Sequence, residues 1–353
     1  MKTTILILFG LTIGLMACES SDKNNAIPGI IGEGEVPDLA KGDDNTIHIA
    51  YGKGDSILYS FSSDNGNSFS KPEVVDTVHK LFSFAMRGPQ ITTTANGACI
   101  IACSQQGNLI SYQKDGSGKW TKTGRVNDVD TIAKEGFLAL DGDGKNNLFA
   151  VWLDLRQDKH NNIYGARSID GGKTWPANKM VYSSPDGHVC ECYKPSIAVQ
   201  DNQVSVMFRN WLDGNRNLYL IQSFDGGNSF NQAQKLGNGN WKLDGCPMDG
   251  GSIAINKTGV TQTVWRREGT IFTSEPGKPE TELAEGRSCT IETVNGKNVY
   301  AWVEKGEVIV LKPGGVKMNL GKGSLPAIKA VNDKEIVCVW QKDKEIHKTV
   351  IEL

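Results

Sequence analysis

Seven short apolar runs recur along the chain, and most of them end on an aromatic ring before the sequence turns polar. They are IHIAY (47–51), CIIAC (99–103), LFAVW (148–152), VSVMF (204–208), TQTVW (261–265), VYAW (299–302) and IVCVW (336–340). Their short length and their β-branched and aromatic residues are typical of strands. After each run come a loop and a second strand-like run, such as SILYSFS at 56–62 or NLYLIQS at 217–223.

A further strand-like segment precedes each of these runs, beginning with PDLA at 37–40 and ending with PAIKA at 326–330. Each repeat therefore offers strands A, B and C, a tight turn and a short strand D. Four-stranded units repeated along a chain predict an all-β fold, the β-propeller. One such sheet cannot bury both faces, so the blades must stack into a closed ring.

The last repeat ends after its strand C. Residues 27–36, which precede the first strand A, are predicted to supply the missing strand D and to close the ring. We therefore expect seven blades. Six blades are the alternative, if the last two short repeats form one irregular blade.

Three similar octets follow the third strand of repeats one, three and four. They are SSDNGNSF (62–69), SIDGGKTW (168–175) and SFDGGNSF (223–230). Glycine adopts the positive φ that tight turns need, and an aspartate can accept hydrogen bonds from the N–H groups of its own turn. The octets thus have a complete structural explanation, and we do not expect Asp64, Asp170 or Asp225 to be catalytic.

The composition excludes some classes of partner. The chain has 353 residues and a formal net charge of −2. Because it has no basic stripe, we expect no binding to nucleic acid.

The N-terminus has the features of an export signal. Lys2 precedes an apolar segment at 5–16 that is too short to span a bilayer, and Leu15-Met16-Ala17-Cys18 resembles the bacterial lipoprotein signal. We expect a signal peptide at 1–17, lipid on Cys18, a flexible tether at 18–26 and one propeller domain at 27–353. The protein would be held in the cell envelope by its lipid anchor alone, facing the periplasm or the exterior. Ordinary secretion is the alternative.

Loops B–C and D–A of a propeller share the face opposite the C–D turns, and here they collect many charged and aromatic side chains. The longest loops belong to blades three to five, which predicts a groove on that side; long loops on a rigid scaffold often carry function. The candidate catalytic acids are Asp154, Glu191, Asp213, Asp249 and Glu268. The candidate substrate-binding residues are Arg87, Arg156, Arg209, Trp211, Arg216, Trp241, Arg266 and Arg287.

The octets match the pattern S-x-D-x-G-x-[ST]-[WF], so the chain resembles the sialidase-like superfamily of β-propellers with Asp boxes. CEC at 190–192, RN at 209–210 and the segment from Trp241 to Gly251 also resemble a branch of bacterial lipoproteins labelled as sialidases. The resemblance implies Asp boxes on the C–D turns, away from the pocket.

Sialidases bind the substrate carboxylate with three arginines and add a tyrosine–glutamate pair and an aspartate acid. This chain has Glu35-Val36-Pro37 where the family has Arg-Ile-Pro, and no tyrosine in the loops of the late blades. The resemblance therefore carries over the Asp boxes but not the catalytic set.

The cysteines of two D–A loops leave two interpretations. Cys190 or Cys192 could form a disulfide with Cys246 and brace the groove wall. Alternatively, Cys190, Cys192 and Cys246 could form a soft-metal site with His188 and Met248, since thiolates and thioethers suit copper(I). The spacing favours the disulfide.

We therefore expect an exported, lipid-anchored, sialidase-like glycoside hydrolase that acts on glycans, with carbohydrate, including sialylated glycans, as its partner. We expect a monomer without cofactor or metal. The alternative is a non-catalytic propeller that binds a glycan or a protein, and a weaker alternative is the copper site.

Overall fold

The computed structural model of the protein describes residues 28–157 and 159–353. The predicted signal peptide, the tether and Cys18 lie outside these residues and stay predictions. The described part consists of strands and turns, and it contains no helix that is long and apolar enough to cross a membrane.

Twenty-eight strands form seven four-stranded antiparallel sheets. The first strands are β1 (Gly29–Glu33), β2 (Glu35–Lys41), β3 (Ile47–Lys53), β4 (Ser56–Ser62), β5 (Glu73–Thr77), β6 (Gln90–Thr94), β7 (Gly97–Cys103), β8 (Leu109–Lys114) and β9 (Trp120–Arg125). The middle strands are β10 (Leu138–Gly142), β11 (Leu148–Gln157), β12 (His160–Ser168), β13 (Lys179–Tyr182), β14 (Ser196–Gln200), β15 (Gln203–Arg209), β16 (Leu218–Ser223) and β17 (Gln234–Lys235). The last strands are β18 (Ser252–Ile255), β19 (Thr261–Arg267), β20 (Thr270–Ser274), β21 (Thr281–Glu285), β22 (Arg287–Val294), β23 (Lys297–Glu304), β24 (Glu307–Leu311), β25 (Lys317–Lys322), β26 (Ser324–Ala330), β27 (Glu335–Lys342) and β28 (Glu345–Glu352).

Blades 1 to 6 each take four consecutive strands, from β2 to β25, and blade 7 combines β26, β27 and β28 with the N-terminal strand β1. Strand β1 pairs antiparallel with β28, with Gly29 opposite Lys348 and Glu33 opposite Glu345. The first strands of neighbouring blades contact each other around the whole ring, including β2 of blade 1 with β26 of blade 7. The predictions of seven blades and of ring closure by the N-terminal segment are therefore confirmed.

The core lies between the blades, where the aromatic residues that end the B strands are buried. Trp152, Trp265, Trp302 and Trp340 are at most 1% exposed. Each packs with residues of an adjacent blade, for example Trp152 with the apolar side chains of β7 and β8. Because large aromatic side chains bury more apolar area than any others, these four residues are main contributors to blade stacking.

All three octets lie on C–D turns, on the face that we call the lower face. In the second octet, Ser168 Oγ donates to Asp170 Oδ1 at 2.7 Å and accepts from the N–H of Gly172 at 2.9 Å. Thr174 donates its N–H to Asp170 Oδ1 at 3.0 Å and its hydroxyl to Oδ2 at 2.6 Å. Trp175 then packs between blades 2 and 3. The carboxylate therefore holds its own turn and points no free oxygen at solvent.

The A strands line a central channel, whose lower part is a cavity of about 440 Å³. Two acids of the channel act between blades: Asp38 Oδ2 accepts from the N–H of Ile91, and Asp141 Oδ2 accepts from the N–H of Val199, both at 2.8 Å. The A strands of neighbouring blades are not paired with each other, so these backbone N–H groups have no carbonyl acceptor there. The carboxylates of Asp38 and Asp141 accept from them instead. We therefore regard them as structural groups.

Candidate functional site

The opposite face, the upper face, is built very unevenly. Four long D–A connections rise between blades 1 and 5, at residues 78–89, 126–137, 183–195 and 236–251. We call these four segments the wall. On the remaining side, which we call the open side, single glycines (Gly34, Gly286 and Gly323) connect the blades. The long loops expected to form a groove over blades three to five thus form a wall, and the open space lies beside it.

Four side chains from four separate segments meet where the wall borders the channel: Tyr193, Arg209, Asp249 and Arg266. We call this group the Tyr193 cluster. Each of the four carries a buried polar atom that has no hydrogen-bond partner among the described residues. Since buried polar atoms are normally paired, such a convergence of unpaired atoms calls for an explanation.

Arg209 stands at the end of β15 and holds the cluster together. Its side chain is 1% exposed, and it donates to the carbonyl oxygens of Arg216 at 2.7 Å and Arg266 at 2.8 Å. The guanidinium carbon lies 4.8 Å from the centre of the Tyr193 ring and 5.0 Å from that of the Trp241 ring. The cation is therefore fixed between two aromatic faces, and its Nε is left free to bind another group.

Tyr193 follows the Cys192 half-cystine directly and is buried at the base of the wall. A side chain on Gly251 would place its Cβ 2.6 Å from the Tyr193 hydroxyl, so only glycine leaves room for the phenol. Burial raises the pKa of Tyr193 well above its usual value, against the opposing charge of Arg209. The hydroxyl is thus a proton donor without an acceptor among the residues that the structure describes.

Asp249 is fully buried beside Arg266. Its Oδ1 accepts from the N–H groups of Gly250 at 2.8 Å and Ser288 at 3.0 Å, and its Oδ2 lies 3.5 Å from Arg266 Nε. That separation gives an ion pair but not a hydrogen bond, so Oδ2 remains unpaired. Burial raises the pKa of the Asp249 carboxyl despite these partners. Burial thus favours the protonated form of this carboxyl more than in an exposed aspartate.

Three predicted residues form a stack on the rim instead of joining the cluster. The Arg216 guanidinium carbon lies 4.4 Å from the Trp211 ring centre, and His188 stacks on the same indole at 6.0 Å. Arg216 also donates from Nη1 to the sulfur of Cys190 at 3.0 Å. The stack supports the outer surface of the wall.

Asp154 and Arg156 lie away from the channel. Asp154 is fully buried and accepts from the Trp152 indole at 2.8 Å and from the backbone, Nε and Nη2 groups of Arg156 at 2.9 to 3.0 Å. Arg156 continues to Asp128 of the preceding D–A connection at 2.8 Å. Because both Asp154 oxygens are occupied, this acid ties blades 2 and 3 together and offers nothing to a substrate.

The remaining candidates occupy three other places. The guanidinium carbon of Arg87 lies 3.9 Å from the Phe137 ring centre, and Arg87 donates to the carbonyl oxygen of Glu135 at 2.6 Å. The third residue of this place is Glu191, which lies close enough to Glu135 for their charges to interact. Asp213 is at an exposed loop tip beside Asp186. Glu268 and Arg287 lie together in a groove between blades 5 and 6, which has a volume of about 490 Å³.

The cysteine loops are joined by a disulfide between Cys192 and Cys246, with Cα atoms 5.9 Å apart. It connects the third and fourth segments of the wall, while Cys190 remains a buried free thiol. Cys192 and Cys246 are therefore not available as thiolate ligands for copper. Within residues 28–157 and 159–353, no group of three or more His, Cys, Asp or Glu side chains is placed to hold a metal ion.

Sequence reasoning included Arg209, Asp249, Arg266 and Trp241 but left out Tyr193. The resemblance to sialidases implies a tyrosine in the loops of the late blades, and Tyr193 lies in an earlier loop. The signal that could have identified Tyr193 is its position directly after CEC at 190–192, in a D–A loop that its two cysteines already set apart. Glu135 was also left out of the candidate acids.

No protein-family model matches the chain, and no curated protein matches its sequence. Solved structures do match. One is an ulvan lyase, a polysaccharide lyase bound to an oligosaccharide of glucuronate and sulfated rhamnose: TM-score 0.55, 9% identity, 92% of this chain and 95% of that chain covered.

A protein of unknown function from Dyadobacter fermentans matches with a TM-score of 0.52 and 13% identity, over 94% of this chain and 99% of that chain. A virginiamycin B lyase from Staphylococcus aureus matches with a TM-score of 0.52 and 11% identity, over 92% and 98%. Sialidases and an arabinofuranosidase are also among the structural neighbours, with TM-scores of 0.45 to 0.49. At such low identities the likeness shows the β-propeller fold alone.

Proposed function

We propose that this chain is a glycan-cleaving enzyme that acts at an acidic sugar, and that the Tyr193 cluster is its active site. One observation carries the proposal: four buried polar atoms from four segments converge beside the channel without a hydrogen bond. Two of them, Asp249 Oδ2 and Arg266 Nε, form an ion pair at 3.5 Å, and the other two have no hydrogen-bond partner among the described residues. Keeping such atoms unpaired costs stability, and the cost is recovered when a ligand supplies the missing partners.

The charges of the cluster favour an anionic ligand. Arg209 and Arg266 supply two guanidinium groups, and Asp249 balances only one of them. Guanidinium groups match the geometry of a carboxylate or a sulfate, which supports a uronic acid, a sialic acid or a sulfated sugar as the bound residue. The oligosaccharide in the structurally similar ulvan lyase carries both kinds of group, although that likeness concerns the fold.

The proton donors of the cluster support cleavage of a glycosidic bond. The leaving oxygen needs a proton, which the buried Tyr193 phenol would supply, and burial raises the pKa of the neighbouring Asp249 carboxyl in the direction that favours proton transfer. A sialidase-like hydrolysis, with water as the second reactant, is the first reaction we propose. Export and lipid anchoring at Cys18 belong to the same proposal and rest on residues 1–26.

Elimination at a uronic acid is the second candidate, because the Tyr193 hydroxyl has no carboxylate bonded to it. A tyrosine nucleophile needs such a partner to lose its proton, whereas the charged group that stacks on the Tyr193 ring is the Arg209 guanidinium. In an elimination the ionised Asp249 carboxylate would accept the C5 proton, the C4–O bond would break, and a C4–C5 double bond would form. Arg209 and Arg266 would stabilise the charge on the carboxylate, and Tyr193 would protonate the leaving oxygen.

Turnover of acidic polysaccharides, uronosides and sialosides tests the proposal. New reducing ends alone would indicate hydrolysis, and reducing ends with the ultraviolet absorbance of an unsaturated uronate would indicate elimination. We expect Tyr193→Phe to lower kcat by about 10²- to 10⁴-fold, the usual contribution of a positioned proton donor. The melting temperature should not fall, since the lost hydroxyl had no partner.

Tyr112→Phe is the matched control. Tyr112 is equally buried, but its hydroxyl donates to Asp76 at 2.8 Å, far from the cluster. This variant should lose about 1 kcal/mol of stability and keep its kcat. Saturable binding of a glycan without any product, in the parent and in both variants, would overturn the proposed reaction and favour the non-catalytic alternative.

A further inference from the structure

We infer that the groove between blades 5 and 6 binds neutral sugar residues of the substrate, next to the acidic residue held in the Tyr193 cluster. The inference rests on the proposed function and deepens it. It assigns a substrate class, a glycan chain that ends in an acidic residue followed by neutral ones, and a direction in which the chain leaves the site.

The groove is continuous with the cluster through Arg266. This side chain is 25% exposed; its Nε lies 3.5 Å from Asp249 Oδ2, and it also lines the groove. Arg287 reinforces the border, since its Nη2 donates to the carbonyl oxygen of Met248, next to Asp249. A sugar bound to Arg266 in the cluster would therefore have its neighbour in the groove. The volume of about 490 Å³ is within the range of ligand pockets.

On the upper face, as far as the structure describes it, a bound glycan could leave the cluster without crossing a long loop only over the open side. Gly286 and Gly323 connect the blades as single residues, and their N–H groups donate to the carbonyl oxygens of Gly269 and Gly306 at 2.9 and 3.0 Å. These bonds hold the connections flat against the neighbouring B–C turns. The wall closes the other side, braced by the disulfide between Cys192 and Cys246. A polymer thus fits with one end against the wall.

The charges of the groove differ from those of the cluster. The lining carries three cations and three carboxylates: Arg266, Arg287 and Lys305 with Glu268, Glu285 and Glu304. Because Arg266 is ion-paired with Asp249 of the cluster, the groove keeps two cations against three carboxylates and disfavours an anionic sugar. Alternating donors and acceptors suit the vicinal hydroxyls of a neutral sugar, and no aromatic ring is among the described residues that line the groove. Recognition there would rely on hydrogen bonds to hydroxyls.

Two substrates and a double variant test the inference. The short substrate is the methylumbelliferyl glycoside of sialic acid, and the long one is sialic acid linked to lactose. In the double variant Glu304→Gln with Lys305→Ala, we expect the ratio of kcat/KM, long over short, to fall about tenfold, as the loss of one or two hydrogen bonds implies. Asp343→Asn, on the corresponding turn of blade 7, should leave the ratio unchanged.

An unchanged ratio in the double variant, or an equal fall in Asp343→Asn, would overturn the inference while leaving the proposed reaction in place. Where neither compound is cleaved, calorimetric titration with the lactose-linked compound replaces the rates. Weaker binding to the double variant would then support the groove and overturn only the reaction. Equal binding would overturn both.

Discussion

Asp170 on the lower face and Asp249 on the upper face differ in whether both carboxylate oxygens accept hydrogen bonds. On the lower face, Asp170 receives bonds at both oxygens from groups of its own turn, and the other octets repeat the arrangement. On the upper face, Asp249 is more deeply buried, yet Oδ2 has no hydrogen bond. Acids that look equally prominent in the sequence thus divide into carboxylates that hold the backbone with both oxygens and one whose second oxygen has no hydrogen bond.

The pKa values follow the same division. In Asp64, burial is outweighed by the hydrogen bonds from Ser68 and Ser62, which lower the pKa to about 2. In Asp249, burial dominates and raises the pKa, although Ser288, Gly250 and Arg266 oppose it. The carboxylates of the octets are therefore always ionised near neutral pH, whereas Asp249 can change its protonation state during a reaction.

Asp249→Asn should produce the largest change in kcat, and its effects on kcat and on stability should differ most clearly from those of a substitution in an octet. We expect kcat to fall by about 10²- to 10⁴-fold, because a proton-transferring group is removed. The free energy of unfolding at neutral pH should not fall, since the folded state loses a buried charge whose ionisation is penalised above its raised pKa. Denaturant unfolding and steady-state kinetics on one preparation would show both. A large loss of stability with unchanged kcat would make Asp249 a structural acid like Asp170.

Asp170→Ala should show the reverse, with a moderate effect. The N–H and hydroxyl of Thr174 and the hydroxyl of Ser168 lose their acceptor, and we expect about 2 kcal/mol less stability. The kcat of the folded fraction should match that of the parent protein. A drop in kcat at an equal folded fraction would contradict the assignment of the octets to structure.

Acid titration of stability should show the smallest effect, because the octets are near the surface. Asp64 has its pKa lowered from 3.8 to about 2, so its ionised form stabilises the fold fully above pH 3.8 and loses this contribution as the pH falls toward 2. The melting temperature of Asp64→Asn should be below that of the parent at neutral pH, with a gap that narrows in acid. A gap that stays constant with pH would show that the charge of Asp64 does not matter.

Much of the fold could be predicted because its repeats are local patterns. The aromatic residues at the B-strand ends, such as Trp152 and Trp340, mark each blade since they fill the space between sheets. The missing D strand of the last repeat was predictable from chain order, because every blade needs four strands and residues 27–36 precede the first strand A without belonging to another blade. Only the positions of the strands in sequence were needed for either inference.

The site was less predictable because it depends on how deeply each side chain is buried and on which partners it meets in other loops. Asp154 and Asp249 both follow segments that lead to the upper face. Asp154 accepts hydrogen bonds from Arg156, two residues later, whereas Asp249 Oδ2 has only an ion pair with Arg266. Tyr193 reaches Arg209 only because Gly251, fifty-eight residues away in sequence, has no side chain. Such conditions lie in the packing of distant loops, and no local pattern expresses them.

Closure of the ring by β1 also determines which face of the propeller would point toward a surface that held the protein near its first strand. The strand begins at Gly29 beside Lys348, on the lower half of blade 7, and runs upward to Glu33 beside Glu345. The start of β1 therefore lies toward the outer lower edge of the body. A surface that held the protein at this strand end would have the octets toward it, and the Tyr193 cluster would face outward, where long polymers can approach.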